Sequence, residues 1–141
     1  MSVTFLAAMA AMAGGVEPPL AQLHVQVAHL RNAKGFIHAC LTRDPKHFPD
    51  CRGDPDAITA TVPASAGAFR FSALAPGAYA LTVFHDENRN HRLDTAMGIP
   101  REGFAFSNDP RVRFGAPKFR QVVTSIPSGQ TALTVRMQYL L

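Results

Sequence analysis

At 141 residues the chain is long enough for one domain with a genuine core and leaves little room for a second. Hydrophobic residues at 47% against 17% charged exclude an intrinsically disordered chain, and eleven prolines and ten glycines among short apolar runs argue against long helices. The net charge of +4 is spread through the sequence, and its one concentration, Arg111, Arg113, Lys118 and Arg120, lacks the dense stripe with stacking aromatics that a nucleic-acid partner needs.

Taken in order, residues 1–15 form a short apolar run, from Val3 to Ala13, that ends in small residues with an Ala11-Met12-Ala13 cleavage-like triplet. This predicts an export signal, too short to span a bilayer, although no Lys or Arg precedes the run. Residues 16–21, with two prolines, then read as a linker into a domain over 22–141. Leu23, Val25 and Val27 alternate with His24, Gln26 and Ala28, the period of a half-buried strand. Arg31 to Gly35 is a hairpin-type turn, and Phe36 to Leu41 a second strand whose two faces are less clearly separated.

Cys40 and Cys51 come next, and a disulfide across so short a loop agrees with export to an oxidising compartment. The competing reading, a metal site of His38, Cys40, His47 and Cys51, matches no common zinc spacing. Ile58 to Val62 and Ala68 to Phe71 are two further short strands, followed by the tight turn Ala75-Pro76-Gly77. Tyr79 to His85 is the strongest strand, with Tyr79, Leu81, Val83 and His85 on one face and Ala80, Thr82 and Phe84 on the other. Val122 to Thr124 and Leu133 to Tyr139, separated by Pro127-Ser128-Gly129, complete about seven strands at regular spacing. That pattern predicts a single β-sandwich with antiparallel pairing throughout.

Two stretches carry the candidate chemistry. After the strong strand, Asp86, Asn88, Asn90 and Asp94 supply short oxygen-bearing side chains at near-alternate positions. Counted as a calcium loop from Asp86, these four fall on ligand positions, whereas Met97 cannot ligate and His91 replaces the turn glycine; Glu87 or Glu102 would have to add a carboxylate. The competing account is a turn rich in Asp and Asn that bond their own downstream amides. Residues 98 to 119 are glycine- and aromatic-rich without a clean period, which predicts a long loop laid over one end of the domain. Its Phe104, Phe106, Phe114 and Phe119 form either a ligand- or partner-binding surface or a minor core beneath the loop.

The ordered motifs Phe84-His85-Asp86-Glu87-Asn88, Asn90, Leu93-Asp94, Gly98-Ile99-Pro100, Glu102-Gly103-Phe104, Phe106-Ser107-Asn108 and Phe114-Gly115-Ala116-Pro117 resemble the bacterial family catalogued as domain of unknown function 2141. Arg31 to Gly35 and Leu74 to Tyr79 fit the same pattern, so the resemblance runs from about Leu23 to Tyr139. It implies an exported sandwich of transthyretin-like or immunoglobulin-like kind with no established activity, and family members often carry glycine where this chain has Arg89 and His91. A hydrolase acting on a urate breakdown product shares the transthyretin-like fold, but its C-terminal Tyr-Arg-Gly-Ser signature is replaced here by Gln138-Tyr139-Leu140-Leu141.

No nucleophile elbow, zinc-protease helix, phosphate loop or dinucleotide fingerprint is present in the sequence. The expectation is therefore a periplasmic or secreted non-enzymatic structural or binding module, with a candidate weak calcium loop and a protein or envelope partner. The alternative is a small hydrolase or metal-dependent enzyme using His85, Asp86 and His91.

Overall fold

A computed structural model of the chain describes residues 19–113 and 115–141, so the expected export signal and the first part of the linker lie outside the described residues, as does Phe114. The fold is all-β. Its strands are β1 (Ala21–Ala28), β2 (Phe36–Thr42), β3 (Ile58–Pro63), β4 (Ala68–Leu74), β5 (Gly77–Asp86), β6 (Thr95–Ala96), β7 (Ile99–Pro100), β8 (Phe104–Phe106), β9 (Thr124–Ile126) and β10 (Gly129–Arg136). One helical turn, α1 (Phe119–Val122), precedes β9. None of the described helices is long and apolar enough to cross a membrane.

One sheet has the order β10-β1-β4, and a second has the order β3-β2-β5-β8 with β9 pairing the start of β5. The period-two pattern explains why they pack together. Leu23, Val25 and Val27 of β1, Phe69 and Phe71 of β4 and Val135 of β10 meet Ile37, Ala39 and Leu41 of β2 and Tyr79, Leu81 and Val83 of β5 in one buried cluster. Burial of each such side chain contributes about 1.5–3 kcal/mol relative to exposure, so this cluster is the main source of stability.

Pairing is antiparallel with one exception that corrects the expectation: β1 and β10 run parallel, from Ala21↔Gly129 to Ala28↔Arg136. The strand boundaries near the C-terminus move as well, because β9 starts at Thr124 and β10 ends at Arg136 rather than Tyr139. The segment expected to be a featureless loop contains the β6–β7 hairpin, β8 and α1.

Strand β5 is central, and its middle is buried on both faces. Its outer face is covered by a second apolar cluster of Ala80, Phe104, Phe106 and Val122, with Phe48, Phe84, Val112 and Phe119 packed against it. Ser107 and Asn108 fix that cover. The Ser107 hydroxyl accepts the Leu81 amide (3.1 Å) and donates to the Val122 carbonyl (2.6 Å). Asn108, at a left-handed φ of 66°, donates its side-chain amide to the carbonyls of Val122 and Val123. A disulfide joins Cys40 on β2 to Cys51, with Cα atoms 6.5 Å apart, and holds the loop after β2 against the same sheet.

Candidate functional site

The outer face of the second sheet carries side chains in two rows, set by strand register. One row reads Thr61, His38, Phe84, Phe104 across β3, β2, β5 and β8; the next reads Thr59, Cys40, Thr82, Phe106. This grid is the floor of a cleft of about 720 Å³. Pro49, Asp50 and Arg52 of the disulfide loop line one side of it, His91, Arg92 and Leu93 another, and Val112, Gly115 and Ala116 a third. The Gln138 side chain holds the last of these segments in place, accepting the Val112 amide (3.2 Å) and donating to the Pro110 carbonyl (3.0 Å). Thr82 Oγ1 is buried in the floor and has no hydrogen-bond partner among the described residues.

At one end of the cleft sits a compact polar group. Asp86, the last residue of β5, is fully buried. Its Oδ2 accepts the His38 Nε2–H (2.8 Å) and the His91 backbone amide (2.8 Å), while Oδ1 accepts the Asn90 amide (3.1 Å). Burial alone would push the Asp86 carboxyl up, but the bonds from His38 and from the His91 and Asn90 amides together outweigh it and hold it below the usual range. The other ring nitrogen of His38, Nδ1, lies 2.9 Å from Thr61 Oγ1. Because an ionised carboxylate only accepts, Nε2 carries the proton of that bond. The His91 ring lies beside that of His38, centroids 5.1 Å apart, and stacks on Phe36, whose ring also has the Arg89 guanidinium over it.

Of the candidate calcium residues, Asn88, Asn90 and Asp94 are brought together by hydrogen bonds among themselves. Both Asp94 oxygens accept side-chain amide protons, one from Asn88 and one from Asn90 at 2.7 Å. Asn88 and Asn90 in turn accept the Asn90 and Arg92 backbone amides, the pattern of successive Asx turns. Asp86 is directed instead at His38 and the His91 amide. Glu102 organises the same loop from beneath, its carboxylate accepting the amides of Glu87 (3.1 Å) and Asp94 (3.3 Å). Burial, reinforced by the nearby charges of Asp94 and Asp86, leaves the Glu102 carboxyl above the ordinary range.

The hydrolase triad is not assembled. His85 faces the interior between the sheets, where its Nε2–H donates to the Lys34 carbonyl (2.7 Å) and Nδ1 accepts from the Tyr139 hydroxyl (2.9 Å). Asp86 and His91 lie on the other side of β5, and His38 takes the place sequence reasoning gave to His85. The expected disulfide between Cys40 and Cys51 is present, which excludes the competing metal set of His38, Cys40, His47 and Cys51. Of the phenylalanines, Phe104 and Phe106 are 4% and 5% exposed and pack with Phe119, so they form a minor core whose edges also line the cleft. Sequence reasoning missed the pairing of His38 with Asp86 and of Thr61 with His38. The available signal was alternation along β2, which sends Ile37, Ala39 and Leu41 inward and His38 outward.

The chain belongs to a bacterial family described as an uncharacterized protein conserved in bacteria (DUF2141), whose model matches residues 25–134. Neither a curated protein nor a solved structure matches the chain.

Proposed function

We propose that this chain is a non-enzymatic binding module, exported to the periplasm or beyond and built as a β-sandwich of the transthyretin-like or immunoglobulin-like kind. It receives a small, largely apolar ligand in the cleft on the outer face of the second sheet. The cleft carries the reading: its volume of about 720 Å³ falls in the range of small-molecule sites, roughly 300–1,000 Å³. An aromatic floor edged by a few polar groups, His38, Thr61, Arg52 and Arg92, has the composition such sites use. The disulfide supports export, because such a bond persists in oxidising compartments.

The test is binding of an apolar fluorescent anion, anilinonaphthalene sulfonate, to the native protein and to Thr59→Trp. Thr59 is exposed on β3 at the edge of the cleft floor, so an indole there fills the space without touching the core. Saturable binding that is lost in Thr59→Trp, with an unchanged melt, supports the reading. No binding, or equal binding by both proteins, refutes it.

A further inference from the structure

His38, Asp86 and His91 offer two imidazole nitrogens and a carboxylate oxygen, all within 4.8 Å of one another, at the end of the cleft. We propose that these three residues bind one divalent late transition-metal ion of the zinc class, with a coordination position left open to the cleft. The proposal rests on the geometry of the three side chains and is independent of what the cleft accepts.

A zinc ion bonded at about 2.0–2.1 Å needs donor atoms roughly 3.3 Å apart, so the His38–Asp86 side has to open a little and the His91 donor to move inward. His38 Nε2 and Asp86 Oδ2 stand 2.8 Å apart as a hydrogen-bonded pair, and the ion replaces the proton between them. His91 is exposed on the loop after β5, and rotation of its side chain brings a ring nitrogen inward without moving the sheet. The donor set, two imidazoles and one carboxylate, suits zinc and its late first-row neighbours rather than calcium, which takes oxygen.

The surroundings supply what a ligating histidine requires. When Nε2 binds metal, the ring proton resides on Nδ1, and Thr61 Oγ1, 2.9 Å away, is placed to accept it. Asp86 is steadied by the amides of His91 and Asn90, which leaves it a lone pair for the metal when His38 no longer donates to it. Of the two arginines flanking His91 in the loop, Arg89 has its guanidinium over the ring of Phe36, while Arg92 lines the cleft. Both histidine rings line the cleft, so the open position faces space rather than protein.

The test uses the full chain stripped with chelator and titrated with zinc by calorimetry and thermal melting, and with cobalt(II) by absorption. The expected result is one zinc per chain, a midpoint raised by several degrees at saturation, and visible cobalt bands. His91→Ala, an exposed change, should abolish all three. Thr61→Ala should keep the fold but weaken zinc binding about 10–100-fold, the cost of losing an outer hydrogen-bond partner. His47→Ala, which alters the separate His47–Asp44 pair, should change nothing. Absence of zinc binding, wild-type binding by His91→Ala, loss of binding in His47→Ala, or a rise with calcium and none with zinc would each overturn the proposal.

Discussion

Asp86 is the residue on which most of the candidate site depends, and its removal has a calculable cost. The carboxylate accepts three hydrogen bonds from within the protein, from the His38 ring and from two backbone amides, while fully buried. Bonds to a charged partner contribute about 1.5–3 kcal/mol each, but the three share one acceptor and do not add. Removing one side of a buried pair and stranding its donors typically costs about 3–5 kcal/mol, and that is the expectation for Asp86→Ala. Against a total stability of roughly 5–15 kcal/mol, this is a large fraction. In urea at pH 7, with a slope of about 2 kcal/mol/M, the midpoint should fall by roughly 2 M, followed by circular dichroism because the chain has no tryptophan.

Acidity supplies a second readout. The Asp86 carboxyl is held below its unfolded value of about 3.9, so its stabilising contribution is complete above that pH and disappears as pH falls through the lower folded value. The gap between wild type and Asp86→Ala should therefore close in acid. Glu102, whose carboxyl is shifted upward, works in the opposite sense, favouring the folded state at low pH, but it is present in both proteins and largely cancels. Asp94→Ala, whose partners are the exposed Asn88 and the half-buried Asn90, should cost about 1 kcal/mol or less. A cost below about 1 kcal/mol for Asp86→Ala, or a gap that persists to strong acid, would refute the reasoning.

Two other changes follow from the fold. Replacing Cys40 and Cys51 together by serine opens a link with a sequence separation of 11, which the chain-entropy relation values at about 3 kcal/mol, so the melting midpoint should drop by roughly 10 °C and become insensitive to reductant. An unchanged midpoint would contradict that estimate. Gly35 sits at φ +69° with its hydrogen against the Asp86 carbonyl, where an added Cβ would run into backbone that cannot swing aside. Gly35→Ala should lose at least about 2 kcal/mol in a denaturant titration, more than the left-handed φ alone imposes, whereas Gly67→Ala, with open space around it, should lose only about 1 kcal/mol.

The alternation of Leu23, Val25 and Val27, and of Tyr79, Leu81 and Val83, made the core strands legible, because burial on one face leaves a period of two in the sequence. Direction leaves no such trace: a strand's inward residues are the same whether its neighbour runs parallel or antiparallel, so the β1–β10 pairing could not be read. Phe104-Ala105-Phe106 escaped notice because it is short and buried on both faces, which erases alternation.

The candidate site was legible only in part. Asp86 stood out, yet its partner His38 lies 48 positions away and is met through sheet register rather than sequence proximity. The separation of His85 from Asp86, by contrast, was available from the start, since adjacent strand residues point to opposite faces. Within the Asp86–Asp94 run, Asn88, Asn90 and Asp94 are bonded to one another as turn residues, and Asp86 is bonded to His38 on the outer face of the sheet.

The parallel pairing of β1 with β10 also shapes how the chain must assemble. β1 is the middle strand of its sheet, and one of its two neighbours is about a hundred positions further along. A nascent chain that has not yet released Gly129 to Arg136 holds β1 with one edge bare, its amides and carbonyls ready to pair with any extended segment, including another copy of the same chain. Completion of the sheet is therefore a closing event that waits for β10. Contacts of that span are slow to form, which keeps the sheet unlocked for as long as β10 is withheld.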